Sequence, residues 1–279
     1  MGFGTSHILL VRNFLTEGVL IMNKTVLITG ASTGIGYELS KIFSNNGYNL
    51  VLASRNRQRL EVIAREMEKQ HDIQAKVIQK DLSKASACQE LYNDIVADGI
   101  DIDVLVNNAG FGINGKFTDL SVDKHMDLIQ LNITSLTMLC KLFGTDMVKK
   151  RSGKILNVAS TAAFQAGPLM STYYASKAYV LSLSEGLNNE FAQDGVHVSV
   201  LCPGPTDTEF GARADMESSK IANVPWIMSA AKVANISFSG LMRGKKIIIP
   251  GLMNKLIAFS TRFAPRSVLV LITRSLNQK

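Results

Sequence analysis

Residues 29–36 read TGASTGIG, and the fold turns on how this stretch is read. It joins the apolar run TVLIT (25–29) to a helical pattern, IGYELSKIFSNNG (35–47), which ends at Asn46-Gly47. Gly30, Gly34 and Gly36 therefore fall between a strand and a helix. In that context Gly30 permits a tight turn, Gly34 lets the backbone approach a pyrophosphate, and Gly36 lets the helix pack closely on the sheet. Phosphate would meet free N–H groups and the positive end of the helix dipole. The spacing is G-x-x-x-G-x-G rather than the common G-x-G-x-x-G, so taken alone it also fits an ordinary strand-to-helix turn.

Outward from this loop, strand-like and helical patterns alternate. YNLVLAS (48–54) is followed by RQRLEVIAREMEKQH, amphipathic with apolar residues at 60, 63, 64 and 67. AKVIQKD, a helix through the nineties and DVLVNNAG come next. A long helical stretch (121–150), GKILNVAS, a second long helix, VHVSVLCPG and KKIIIPG (245–251) complete the series. Seven such runs, mostly separated by helices, predict right-handed crossovers and a doubly wound, Rossmann-type parallel α/β sheet. One catalytic domain over 22–251 is expected, with a C-terminal helical tail, 252–279, broken at Pro265. Residues 1–21 are expected to be an extension outside the fold.

With 279 residues, 46% of them hydrophobic, the chain can bury one substantial core. Cys88, Cys140 and Cys202 form no C-x-x-C pair, and the four histidines lack metal-ligand spacing, so neither a disulfide framework nor a metal site is expected. No apolar run approaches a membrane span. These features fit a reducing, cytoplasmic setting. The charge is unevenly placed. Residues 218–279 hold ten Lys or Arg and no Asp or Glu, whereas the whole chain is +7. A solvated basic face is one reading; an acidic carrier, a phosphorylated substrate or a peripheral contact with an anionic membrane are others. No nucleic-acid-binding motif accompanies the charge.

The end of the second strand is where a nucleotide ribose would be read. Ser54 stands where an acid would select NAD, Arg55 follows it, and no carboxylate occurs between Glu38 and Glu61. NADP is therefore favoured, through Arg55; Arg57 and Arg59 read as a solvated first helix turn. Further on, YYASK (173–177) poses a choice between two tyrosines. On a helix Tyr173 shares a face with Lys177 and Tyr174 does not. A phenol beside an ammonium can be a proton donor with a lowered pKa.

With TGASTGIG, NNAG (107–110), Ser160 and YYASK in this order, the chain resembles the short-chain dehydrogenase/reductase family over nearly all of 22–251, nearest its NADP-using carbonyl, acyl and hydroxysteroid reductases. The resemblance implies a catalytic tetrad of Asn132, Ser160, Tyr173 and Lys177. Tyr173 would give the proton, Lys177 would favour the phenolate and hold the nicotinamide ribose, and Ser160 would orient the substrate oxygen. Asn132 would hold a water; as a residue on its own it could equally cap or kink its helix. For the cofactor it implies Gly30, Ser32, Thr33, Gly34, Ile35 and Gly36 at the pyrophosphate and Ser54 and Arg55 at the ribose. Asp81 and Leu82 would lie at the adenine, and Asn108, Ala109 and Gly110 beside the adenosine ribose. Pro203, Gly204, Thr206 and Thr208 would border the nicotinamide.

After Ser160, the loop TAAFQAGPLMST offers Phe164, Leu169 and Met170 as an apolar substrate wall, with Gln165 the one polar group able to choose an orientation. A lid is expected over about 208–228, with Met216, Trp226 and Met228 as apolar residues that either face the substrate or pack the lid down. A small hydrophobic carbonyl, or a lipid-like or acyl substrate, follows. A homodimer or homotetramer built on helices 121–148 and 171–193 is implied by the resemblance. The competing readings are a nucleotide-sensing protein without catalysis and a membrane-surface module built on the basic tail.

Overall fold

The computed structural model describes residues 23–278, so the expected extension 1–21 lies outside them. The first half runs β1 (Thr25–Thr29), α1 (Gly34–Asn45), β2 (Asn49–Ser54), α2 (Arg57–Gln70), β3 (Ala75–Gln79), α3 (Ala87–Ala97) and β4 (Val104–Asn107). Then come α4 (Val122–Ile129), α5 (Leu136–Lys150), β5 (Gly153–Val158), α6 (Ser171–Ala192) and β6 (Val196–Leu201). The last part holds β7 (Thr206–Asp207), α7 (Phe210–Arg213), β8 (Met228–Ser229), α8 (Ala230–Met242), β9 (Ile247–Ile248), α9 (Leu252–Ser260) and α10 (Arg266–Asn277).

Seven strands form a parallel sheet in the order β3-β2-β1-β4-β5-β6-β9, as the seven apolar runs predict, and β7 pairs only with β8. The reason is visible in β1, which is buried at every residue. Val26 and Ile28 face a layer with Leu39 and Phe43 of α1, Leu60 and Met67 of α2, and Leu241 of α8. Leu27 faces the other way, toward Leu91 of α3, Phe143 of α5 and Val180 of α6. Successive strand residues point to opposite faces, and helices cover both, so the three central positions, Val26, Leu27 and Ile28, are all apolar. Each such large side chain taken out of water contributes about 1.5–3 kcal/mol. β9 is shorter than its sequence run suggests: only Ile247 and Ile248 pair with β6, which leaves a very short edge strand.

The stretch 121–150 is helical but not one helix. Between α4 and α5 the residues Gln130–Ser135 form a π turn, and Asn132 sits in it. The strand order reverses between β1 and β4, which puts the topological switch point at their carboxyl ends. The chain leaves β1, β2, β4, β5 and β6 there through Gly30, Arg55, Asn108, Ser160 and Pro203. Among the described residues no helix is long and apolar enough to cross a membrane.

Candidate active site

At the switch point the backbone itself makes the first half of the site. Gly30 and Gly34 adopt left-handed φ of 65° and 57°, which side chains disfavour. A Cβ on Gly36 would lie 2.4 Å from the Gly30 carbonyl oxygen and 2.5 Å from Asn108 Nδ2. Asn108 Nδ2 donates to the carbonyls of Thr29 and Gly30 at 3.0 and 3.1 Å. Thr29 Oγ1 in turn accepts from the N–H groups of Asn108 and Ala109, each at 3.0 Å. The β1 and β4 ends are thus tied together around the glycine loop. Thr33, at the start of α1, provides no side-chain cap, and no acid occupies the first turn. The free N–H groups of that turn are left for an anion. This donor set fits a dinucleotide pyrophosphate.

A cleft of about 800 Å³ runs from this loop across the carboxyl ends of the strands. All the residues nominated for the cofactor line it except Gly36, which is buried beneath. Arg55, just after β2, lines it beside the glycine loop. Burial raises the Asp81 carboxyl, but two hydrogen bonds from Ser83 and the nearby charges of Arg55 and Lys84 outweigh this and leave it below its ordinary value. Arg57 pairs with Glu61 within α2 at 2.7 Å, as a solvated first turn would. Arg59 does more than that: it reaches Glu209, at the start of α7, at 3.2 Å.

Tyr173 and Lys177, one turn apart on α6, are both buried, 8% and 6% exposed, and both line the cleft. Lys177 Nζ donates to the Val158 carbonyl at 2.8 Å and lies 5.7 Å from the centre of the Tyr173 ring. Ser160 caps the short turn after β5, accepting from the Ala162 N–H at 3.1 Å, and faces the Tyr173 hydroxyl. Asn132 stands just behind: its amide donates to the Phe111 carbonyl at 3.0 Å and to Ser176 Oγ at 3.1 Å. A Cβ added to Gly110 would be 3.1 Å from Asn132 Oδ1 and 3.6 Å from Lys177 Nζ, so the three groups converge there.

The electrostatics differ from the sequence expectation. Burial pushes the Tyr173 phenol up, with the hydrogen bond to Ser160 offsetting part of the rise and Tyr174 adding to it. Burial also brings Lys177 down to about 8. The phenol beside the ammonium is therefore raised, not lowered, because removing both groups from water outweighs what their neighbours return.

Tyr174 has a different duty. Its ring lies on Gly167, where a Cβ would come within 2.3 Å of it. Its hydroxyl donates to Asn277 Oδ1 at 3.3 Å. Asn277, fully buried at the end of α10, also donates from Nδ2 to the Pro168 carbonyl at 2.9 Å and accepts at its own carbonyl from Asn114 Nδ2 at 3.0 Å. The chain terminus thereby holds the loop beside the cleft, a role no motif announces.

Of the four nominated substrate residues, Gln165 and Met170 line the cleft and two do not. Phe164 packs against the core under α5 and α6. Leu169, with a left-handed φ of 68°, turns into a separate recess with Ile113, Leu120 and His125. The apolar wall is completed instead by Phe111, Phe210 and Met216 around Tyr173. Met228 is drawn into the main core as part of β8, and Trp226 does not line the cleft. Gln165 Oε1 is buried without a hydrogen-bond partner among the described residues. Among those residues no cluster of His, Cys, Asp or Glu could hold a metal ion.

Comparison with known proteins agrees with this geometry. The short chain dehydrogenase family matches residues 24–219. An uncharacterized oxidoreductase of Staphylococcus epidermidis is 32% identical over 209 residues, 73% of this chain and 89% of that protein. The hydroxysteroid dehydrogenase-like protein 1 of Gallus gallus is 31% identical over 236 residues, 84% of this chain and 70% of that one. A solved short-chain dehydrogenase of Sphingobium yanoikuyae, in complex with NADPH, is 31% identical with a TM-score of 0.78, covering 88% of this chain and 94% of its own. The chain belongs to the short-chain dehydrogenase family and is a nicotinamide-dependent oxidoreductase acting on CH–OH or carbonyl groups.

Proposed function

We propose that this protein is an NADPH-dependent reductase of a hydrophobic ketone or acyl carbonyl, with Tyr173 as the proton donor. One observation carries the reading: Tyr173, Ser160 and Lys177 border the same cleft whose other end holds Arg55 and the uncapped start of α1. Bound in that cleft, the nicotinamide supplies the hydride for reduction, or accepts it in the reverse direction. The rest falls to the chain's own residues. Gly30 and the residues from Ser32 to Gly36 hold the pyrophosphate, and Arg55 pairs with the 2′-phosphate. Asp81 and Leu82 meet the adenine, Asn108, Ala109 and Gly110 flank the ribose next to it, and Pro203, Gly204, Thr206 and Thr208 border the nicotinamide.

At the reacting end Ser160 Oγ donates to the substrate oxygen and fixes its position. The Tyr173 hydroxyl gives that oxygen its proton. Burial keeps the phenol protonated at neutral pH but makes it a reluctant donor, so its neighbours have to favour the phenolate for the proton to leave. Lys177, held at Val158, favours the phenolate as it forms and hydrogen-bonds the nicotinamide ribose. Asn132 holds a water that returns a proton to the pair. The substrate lies against Met170, Phe210 and Met216, and Gln165 Oε1, buried without a partner among the described residues, accepts from one polar group on it. The NADPH bound by the Sphingobium relative and the hydroxysteroid-type name of the avian one agree with this cofactor and substrate class.

The test is cofactor oxidation over a panel of ketones, aldehydes and 3-oxoacyl thioesters, with NADPH and NADH side by side. NADPH-dependent turnover is expected, falling about 10²- to 10⁴-fold in Tyr173→Phe with NADPH binding intact, while Tyr174→Phe keeps most of it. Arg55→Ala should erode the preference for NADPH over NADH by about tenfold or more. Equal turnover by wild type and Tyr173→Phe would remove the assignment.

A further inference from the structure

α9 and α10 are amphipathic the wrong way round. On α9 the buried positions are Asn254 and Ala258, four apart on one face. Leu252, Leu256 and Phe259 lie on the opposite face and are 73%, 53% and 56% exposed. α10 buries Thr273 and Asn277 and exposes Val268, Leu271 and Ile272. Phe263, between the two helices, is 74% exposed and meets Phe259 edge-on at 5.1 Å. Eight of the fifteen large hydrophobic side chains exposed among the described residues fall between 252 and 272.

This is not loose packing of a tail. The helices are held by their polar faces: Asn277 through the three contacts described above, and Asn254 by donating to the Pro250 carbonyl at 2.8 Å while pressing on Gly204, where a Cβ would meet it at 2.2 Å. With the polar groups used inward, the apolar ones are left outward. Lys255, Arg262, Arg266 and Arg274 are exposed on the same two helices and their linker, and no Asp or Glu occurs anywhere from 218 to 279.

We propose that this surface docks on an anionic lipid bilayer. Apolar side chains interleaved with cations, on helices of 9 and 12 residues that are too short to span, suit the boundary between headgroups and acyl chains. The charge argues against a second copy as the occupant. A twofold interface pairs a patch with itself, so cations would face cations with no acid to meet them. An anionic bilayer covers the apolar face and answers the charge together. α10 also packs on the lid turn Lys220–Asn223, and Ile221 of that turn lines the cleft. Docking therefore brings the membrane beside the cleft wall, from which an apolar substrate could be taken.

The experiment is co-sedimentation of the full chain with large vesicles of phosphatidylcholine alone, or of phosphatidylcholine and phosphatidylglycerol in equal parts. It needs neither substrate nor cofactor, so its result is separate from that of the reduction assay. Binding to the anionic vesicles is expected, weakened at least about tenfold by high salt or by Phe259→Ser together with Leu271→Ser. Circular dichroism checks that this double variant is folded. If it is not, Arg262→Glu with Arg266→Glu serves in its place, with the same loss expected. Equal sedimentation of wild type and folded variants, or none with anionic vesicles, overturns the proposal. A dimer in sedimentation velocity that these substitutions abolish would also overturn it, by naming a second copy as the occupant.

Discussion

At the β1 end of the cleft, Gly30, Gly36 and Asn108 approach so closely that a single methyl group would collide with backbone. At the β5 end, the loop beside Gln165 and Met170 is held by Asn277, 109 positions away in the chain. One end is shaped by the main chain of one strand–turn–helix unit, clamped by Asn108 from the end of β4; the other is shaped by side chains brought in from remote segments. The difference teaches where each property is stored. The proposed nucleotide end is close-packed backbone and tolerates almost no change, whereas the proposed substrate wall is assembled from replaceable contacts and can be retuned piece by piece.

Substitutions should fall in that order of severity. Gly36→Ala places its methyl against the Gly30 carbonyl, and the loop has nowhere to go. We expect a loss of about 1–3 kcal/mol in stability and of about a hundredfold in NADPH affinity, read by thermal melting and fluorescence titration. Wild-type values for both would break the comparison. Asn277→Ala leaves the Tyr174 hydroxyl and the Pro168 carbonyl without their partner. It should cost about 1–3 kcal/mol and raise KM for a bulky ketone several-fold with kcat nearly kept. A purely structural role would move the melting temperature and leave KM unchanged.

Lys177 sharpens the contrast, because here the role proposed for it opposes stability. Its folded value of about 8 lies below the ordinary 10.5 of a lysine. The cost of burying its charge is therefore fully present below pH 8 and is relieved as pH rises from 8 toward 10.5. Melting of the cofactor-free protein followed from pH 7 to 10 should show the wild type gaining on Lys177→Met. At pH 7 Lys177→Met should melt about 5 °C higher. A gap that does not change with pH would remove the charge from the explanation. The smallest effect is expected from Glu209→Gln, which loosens the exposed contacts of the α7 start with Arg59 and Arg213. Exposed pairs contribute little, and KM for NADPH should change less than about threefold. A larger change would mean that the α7 segment is latched more firmly than its exposure suggests.

Much of the fold was legible because a parallel sheet covered on both faces demands uninterrupted apolar runs, and seven could be counted. The glycine loop and the Tyr173–Lys177 pair were legible for a similar reason: each depends on spacing within one element. What escaped depends on distance or surroundings. The π turn Gln130–Ser135 was foreshadowed only by Asn132, which could cap or kink its helix; nothing else in that composition breaks an α-helix. Phe164 and Leu169 lie in a loop, where no period tells inward from outward, and the left-handed backbone of Leu169 sends its side chain away from the cleft. The phenol's shift was misjudged because the sequence shows the neighbouring lysine but not the depth at which both are buried. Asn277 belongs to no motif at all.

The π turn around Asn132 also solves a problem of phase. An α-helix advances about 100° per residue, so every side chain along it is committed once one is placed. Here α4 has to bring Leu128 over the Tyr173 cluster, while α5 has to seat Leu139, Phe143 and Met147 in the layer beneath the sheet. The wider turn between them decouples the two settings and points Asn132 at Phe111 and Ser176. Tightening 130–135 into a regular α-helix with all six residues kept would rotate everything on one side by about a quarter turn, whereas deleting one residue there would keep both flanks in phase and lose the setting of Asn132. In this protein an interrupted helix is what allows site and core to be aimed independently.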